Sequence, residues 1–82
     1  MKLKQNHYYK IKYPIIKHTN GWLYVKVDIL GKYYSTMYVL KDDAGRDFDT
    51  TRTYRLFENN IVNNPDYTVI EISEDVALAH AI

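Results

Sequence analysis

The sequence predicts a small, mainly β protein, and three features of the chain support that prediction. Apolar and polar residues alternate over several short segments, which is the period of a half-buried strand. Nine tyrosines in 82 residues are typical of strands, because aromatic side chains pack well on a pleated surface. Three glycines and two prolines stand where those segments end, so we expect tight turns between neighbouring strands.

The first two strands are predicted to form a hairpin. The alternation that begins at Tyr8 is ended by Pro14, which cannot donate to a central ladder. Asn20-Gly21 favours a tight turn, because both residues tolerate a positive φ. A second strand then runs over residues 22–30. Its inward face is predicted to hold Leu23, Val25, Val27 and Ile29, and its outward face Trp22, Tyr24, Lys26 and Asp28.

A third strand is predicted over residues 32–40, next to a turn at Gly31-Lys32. Its inward face depends on the length of that turn, since a shift of one residue exchanges the two faces. A two-residue loop places Tyr34, Thr36, Tyr38 and Leu40 on the core side. A three-residue loop places Tyr33, Ser35, Met37 and Val39 there instead.

The second half of the chain is predicted to add two strands and a short helical turn. A polar turn around Gly45 leads into a fourth strand over residues 48–57, and a fifth strand follows over residues 67–72. Ser73 is predicted to cap a terminal helical turn, because Glu74 and Asp75 in its first positions suit the helix dipole.

These elements predict a single domain over residues 1–82, a five-stranded antiparallel meander or small barrel of the SH3-like or OB-like kind. A closed barrel would remove the sheet edges. The residues leave the choice between a barrel and an open, bent meander undecided, because closure depends on strand tilt and register.

Several classes of function are excluded or made improbable by what the sequence lacks. The chain has no cysteine, and therefore no disulfide, zinc–thiolate site or thiol nucleophile. Its glycines stand singly and its three histidines are isolated, so we expect no phosphate loop, metal site or cofactor. Neither serine lies in a nucleophile elbow. We therefore expect a protein that is not an enzyme.

The start of the chain is basic, but no apolar segment of signal-peptide type follows it. No run approaches the ~20 apolar residues that a membrane-spanning helix needs. We therefore expect a cytoplasmic protein that does not enter a membrane.

Charge is divided unequally between the two halves of the chain. Residues 1–41 hold eight lysines and one acid, a net charge of +7, whereas residues 42–82 hold three arginines and nine acids, a net charge of −6. Such a division can mark a basic surface for an acidic partner or for nucleic acid. It can equally reflect strands of opposite charge that neutralise each other across the sheet.

Aromatic and cationic residues alternate around the first hairpin. If the aliphatic row that begins at Leu23 faces inward, a surface of aromatic and lysine side chains faces water. Aromatic hot spots with basic neighbours suit an acidic protein partner, and they also suit single-stranded nucleic acid. The near-zero net charge favours a protein. The residues predicted to bind are Tyr8, Lys10, Lys12, Trp22, Tyr24 and Lys26.

A second candidate contact is acidic and lies around Gly45. Asp42, Asp43 and Asp47 are there, but their spacing does not match a calcium loop. The ordinary interpretation is a solvated hairpin loop, and the functional one is a docking contact for a basic group on a partner.

Taken together, the residues predict a non-enzymatic binding module. The composition is rich in lysine, asparagine, isoleucine and tyrosine, as in AT-rich genomes, which suggests a phage or mobile-element accessory protein that modulates or inhibits a host protein, including one that handles nucleic acid. The alternatives are a single-stranded nucleic-acid-binding barrel and a structural or assembly protein.

Overall fold

An antiparallel sheet organises the residues that the computed structural model describes, which are 2–12, 22–41 and 55–81. Its strands are β1 (Tyr8–Lys12), β2 (Trp22–Leu30), β3 (Tyr34–Lys41), β4 (Arg55–Glu58) and β5 (Thr68–Ile72). A 3-10 helix (Asn59–Asn63) follows β4, and the helix α1 (Glu74–Ala81) follows β5. The strand order is β4-β3-β2-β1-β5, so β1 to β4 form a four-strand meander and β5 lies beside β1.

The prediction of a mainly β, antiparallel fold with a short C-terminal helix is confirmed. Of the two alternatives, the open meander is found and the SH3-like or OB-like barrel is not, because the sheet of the described residues is open and β4 and β5 lie at opposite edges. The edge strand β5 has five residues, and short edge strands limit unwanted pairing without closure. The turns predicted at Asn20-Gly21 and Gly45 lie outside the described residues, as does most of the fourth predicted strand.

The main core lies on the face to which the aliphatic row of β2 points. Leu23, Val25 and Val27 are fully buried there, as the alternation predicts. Antiparallel pairing sets Ile11 opposite Leu23 and Tyr9 opposite Val25, so the inward residues of β1 join the same cluster. A two-residue period on both strands therefore produces one continuous apolar face.

The turn between β2 and β3 has three residues, and this decides which face of β3 is inward. Ser35, Met37 and Val39 are fully buried on the main core side, as the three-residue alternative predicts. Tyr33, which the same alternative placed inward, lies in the turn and is exposed. Gly31 is required at the start of this turn, because a Cβ there would lie 2.5 Å from the backbone oxygen of Tyr34.

Ile29 departs from the predicted inward row. Val27 pairs with Met37 and Leu30 pairs with Ser35, so two residues of β2 oppose one residue of β3 in a β-bulge. The bulge interrupts the alternation, and Ile29 is 60% exposed. The backbone N–H of Ile29 donates to the hydroxyl of Thr36 at 3.3 Å within this irregularity.

The opposite face of the sheet is covered in its middle by α1. Tyr24, Leu40 and Ala77 form a second buried cluster, in which the tyrosine is only 5% exposed. Ser73 caps this helix as predicted, since its hydroxyl accepts from the backbone N–H of Val76 at 3.2 Å. The expectation that Tyr24 faces water is therefore wrong. The side chain points away from the main core, but the helix packs over it.

Asn59 connects the β2–β3 turn to the start of the 3-10 helix. Its side-chain amide donates to the carbonyl of Gly31 at 2.7 Å, and its carbonyl oxygen accepts from the hydroxyl of Ser35. Its backbone N–H donates to the carbonyl of Tyr33 at 2.7 Å. The side chain of Ser35 is fully buried, so this amide satisfies a hydroxyl that has lost its contact with water.

Replacing Asn59 with alanine is therefore expected to lower the free energy of unfolding by about 2–3 kcal/mol, because a buried hydroxyl and a turn carbonyl lose their partners. The matched control is Asn60→Ala, since the Asn60 side chain is exposed and makes no recorded hydrogen bond to a described residue. That control should change stability by less than about 0.5 kcal/mol. Urea unfolding measures both values, and equal losses in the two variants would contradict the role given to Asn59.

The segment before β1 folds back beside β2 and covers a core tyrosine. Asn6, with a φ of 66°, adopts the left-handed conformation that asparagine tolerates, and its N–H donates to the carbonyl of Val27 at 2.9 Å. The hydroxyl of Tyr9 accepts from the backbone N–H of Lys4 at 2.8 Å. Burial raises the pKa of Tyr9, the Lys4 N–H opposes this, and the charge of Glu71 adds to the rise.

Stability should consequently fall in alkali. Above the unfolded value of about 10, the unfolded chain releases the phenolic proton while folded Tyr9 retains it, so the free energy of unfolding decreases as pH rises. Below that value the contribution of Tyr9 is fully present. Urea unfolding between about pH 8 and pH 11 should give a shallower decline for Tyr9→Phe than for the wild type. Parallel declines would show that Tyr9 does not contribute.

Candidate functional site

A group of aromatic and lysine side chains lies on the face of β1 and β2 that is opposite to the main core. We call it the basic-aromatic face, and its members are Tyr8, Lys10, Lys12, Trp22 and Lys26. Pairing between the strands assembles it: Lys12 lies opposite Trp22, and Tyr8 lies opposite Lys26. Lys10 lies opposite Tyr24 and is therefore a diagonal neighbour of Trp22.

Both aromatic rings of this face lie close to lysine ammonium groups, two at Trp22 and one at Tyr8. The Nζ of Lys10 is 4.5 Å from the centre of the Trp22 ring, and the Nζ of Lys12 is 5.7 Å from it. The Nζ of Lys26 is 5.6 Å from the centre of the Tyr8 ring. These distances are within the range of cation–π attraction, which holds the lysines over the rings without neutralising their charge.

The lysines of this face form no ion pair with a described carboxylate. No described carboxylate lies within 4.0 Å of the Nζ of Lys10, Lys12 or Lys26. Within the described part of the chain, the ion pair that does form joins His7 to Glu71 at 3.1 Å, away from these lysines. Three positive charges are therefore gathered on one surface. A carboxylate-bearing partner could approach them without displacing an internal acid.

Most of the side chains predicted to face water are less exposed than the sequence predicts. Trp22 and Tyr8 are half-buried and pack against the cluster formed by Tyr24 and α1. Lys12 is exposed, whereas Lys10 and Lys26 are half-buried. Tyr24 lies beneath α1 and supports the face from below, so it is not available to a ligand. The acidic residues Asp42, Asp43 and Asp47 lie outside the described residues.

A second surface was not predicted from the sequence. Around the β2–β3 turn, Tyr33 is 67% exposed and Tyr34 is 49% exposed. Both line a groove of about 530 Å³ together with Lys32, Glu58, Asn59 and Asn60. A signal was present in the sequence, because residues next to a tight turn are usually exposed, and two tyrosines follow Gly31-Lys32 directly.

Other kinds of site find no support in the described parts of the chain. No group of three or more His, Cys, Asp or Glu side chains there could hold a metal ion. Within the same residues, no helix has the length and apolar character needed to cross a membrane. Comparison with protein-family models, curated proteins and solved structures finds no match to this chain.

Proposed function

We propose that this protein is a non-enzymatic binding module that docks through the basic-aromatic face on an acidic surface of a partner protein. One observation supports this proposal most strongly. Three ammonium groups lie over two aromatic rings of neighbouring strands, and no described carboxylate forms an ion pair with them. Tryptophan and tyrosine are common in binding hot spots, and unneutralised charges at the rim accelerate association with an oppositely charged surface.

A protein partner fits this face better than single-stranded nucleic acid does. Bases stack on open aromatic faces, whereas here lysines lie over both rings, and Trp22 is half-buried. Three lysines would also release few counterions, which predicts a slope of only about −2 in a plot of log K against log salt. The net charge of the whole chain, +1, adds little attraction for a phosphate backbone.

The biological setting that we propose is the cytoplasm of a host cell, where a small accessory protein of a phage or mobile element occupies and modulates a host protein. The support for this is compositional: the chain is short, free of cysteine, and rich in lysine, asparagine, isoleucine and tyrosine. The proposal extends to a host protein that handles nucleic acid, where that protein presents an acidic patch to the basic-aromatic face.

Fluorescence of Trp22, the only tryptophan of the chain, separates a protein partner from nucleic acid. Affinity capture on the tagged chain should yield one stoichiometric acidic protein, and adding that protein should change the Trp22 emission saturably. Adding oligo(dT) at physiological salt should leave the emission unchanged. Saturable quenching by oligo(dT), with a steep salt dependence, would contradict docking on a protein and favour nucleic acid.

A further inference from the structure

We propose a second binding site, the groove beside the β2–β3 turn, and we infer that its ligand is a neutral saccharide. The groove is lined by Lys32, Tyr33, Tyr34, Glu58, Asn59 and Asn60 and holds about 530 Å³. This volume is within the range of small-molecule pockets. The groove and the basic-aromatic face share no residue: Lys26, the member of that face nearest to the turn along β2, lies four residues before Leu30, which is about 13 Å of strand.

The aromatic walls of the groove are open to a ligand. Tyr33 and Tyr34 are among the most exposed large apolar side chains of the described residues. The Nζ of Lys32 lies 5.3 Å from the centre of the Tyr33 ring and therefore occupies one face of that ring only. An aromatic face can stack on the apolar C–H face of a pyranose ring, and the tyrosine hydroxyls provide a polar edge.

Hydrogen bonds of Asn59 hold the turn that forms the groove in place before any ligand binds. Asn59 uses its side-chain amide for Gly31 and Ser35, and its backbone N–H for the carbonyl of Tyr33. These bonds hold the turn that carries both tyrosines against the start of the 3-10 helix. Little ordering of the protein is then needed when a ligand binds, and such preorganisation preserves affinity.

The class of ligand is inferred from the polar groups that line the groove and make no hydrogen bond with a described residue. The carboxylate of Glu58, the amide of Asn60 and the ammonium of Lys32 make no hydrogen bond with any described residue. They supply both donors and acceptors around the aromatic walls, which matches a ligand with several hydroxyls. One positive and one negative charge leave the lining neutral, so neither a phosphate nor an acidic peptide is favoured.

The test uses NMR of the full 82-residue chain with neutral tetrasaccharides of glucose, mannose, galactose and N-acetylglucosamine. At least one of them should move the backbone amide signals of residues 31–34 and 58–60 saturably, at concentrations up to about 20 mM, where millimolar Kd values are detectable. Tyr33→Ala should weaken this binding by roughly tenfold, because the stacking surface is lost. The matched control Tyr33→Phe keeps the ring and should change the Kd by less than about threefold.

Three results would overturn the proposal. The first is that no tetrasaccharide moves these amide signals. The second is that Tyr33→Ala leaves the Kd unchanged, and the third is that only oligo(dT) or a proline-rich peptide binds in the groove. Variants of Lys10 and Lys26 should leave saccharide binding intact, so failure here and failure of protein docking are distinguishable.

Discussion

Replacing Ala77 with aspartate is expected to lower the free energy of unfolding by about 3 kcal/mol. The side chain of Ala77 has no exposed area and packs in the cluster with Tyr24 and Leu40. A carboxylate there must either be buried without a partner or force α1 away from the sheet. Both outcomes disrupt the cluster of Tyr24, Leu40 and Ala77, so urea unfolding should show a clearly lower free energy of unfolding.

The matched control for this substitution lies on the same helix. Ala79 is exposed, and Ala79→Asp introduces the same charge two residues further along the helix. Ala79→Asp should lower the free energy of unfolding by less than about 1 kcal/mol. This loss reflects the lower helix propensity of aspartate and its repulsion by the helix dipole. Because Trp22 packs against this cluster, acrylamide quenching of its fluorescence should also increase for Ala77→Asp. Equal losses in the two variants would mean that α1 does not pack on the sheet.

Reversing the charge of both Lys10 and Lys26 should slow association with the captured partner by roughly ten- to a hundredfold, with a much smaller change in the dissociation rate. The physical reason is that these ammonium groups attract an acidic surface before contact is made. The lysines lie over Trp22 and Tyr8 and form no ion pair with a described carboxylate. Stopped-flow or surface-plasmon measurements give the two rates separately.

Lys4→Glu/Lys32→Glu is the control for the double variant Lys10→Glu/Lys26→Glu, because it changes the net charge equally at two exposed positions outside the basic-aromatic face. It should slow association by less than about threefold. A similar loss in the two double variants would show that only the overall charge of the protein matters. A change confined to the dissociation rate would contradict electrostatic steering by this face.

Much of the main core could be predicted from the sequence, because strand alternation is a local signal. Leu23, Val25 and Val27 are buried as the two-residue period requires. The inward face of β3 could be narrowed only to two alternatives, since the length of the turn decides it. Ile29 could not be predicted correctly, because the bulge opposite Thr36 depends on how two strands pair and not on either strand alone.

The candidate site could be predicted only in part, and for a related reason. Lysines and aromatic residues were predicted on one face from alternation, and the pairing of β1 with β2 brings Lys12 and Trp22 together. The burial of Tyr24 was not predictable, because it results from α1, which lies some fifty residues further along the chain. The hydrophobic pattern of a short helix does not predict which part of the sheet that helix covers.

Amine labelling of the lysines, read by mass spectrometry in the free protein and in the complex, tests the docking face most directly. The account predicts that the partner protects Lys10, Lys12 and Lys26 from acetylation by roughly fivefold or more, while Lys2, Lys4 and Lys32 stay as reactive as in the free chain. Protection of Lys2, Lys4 or Lys32 without protection of the first three would contradict it.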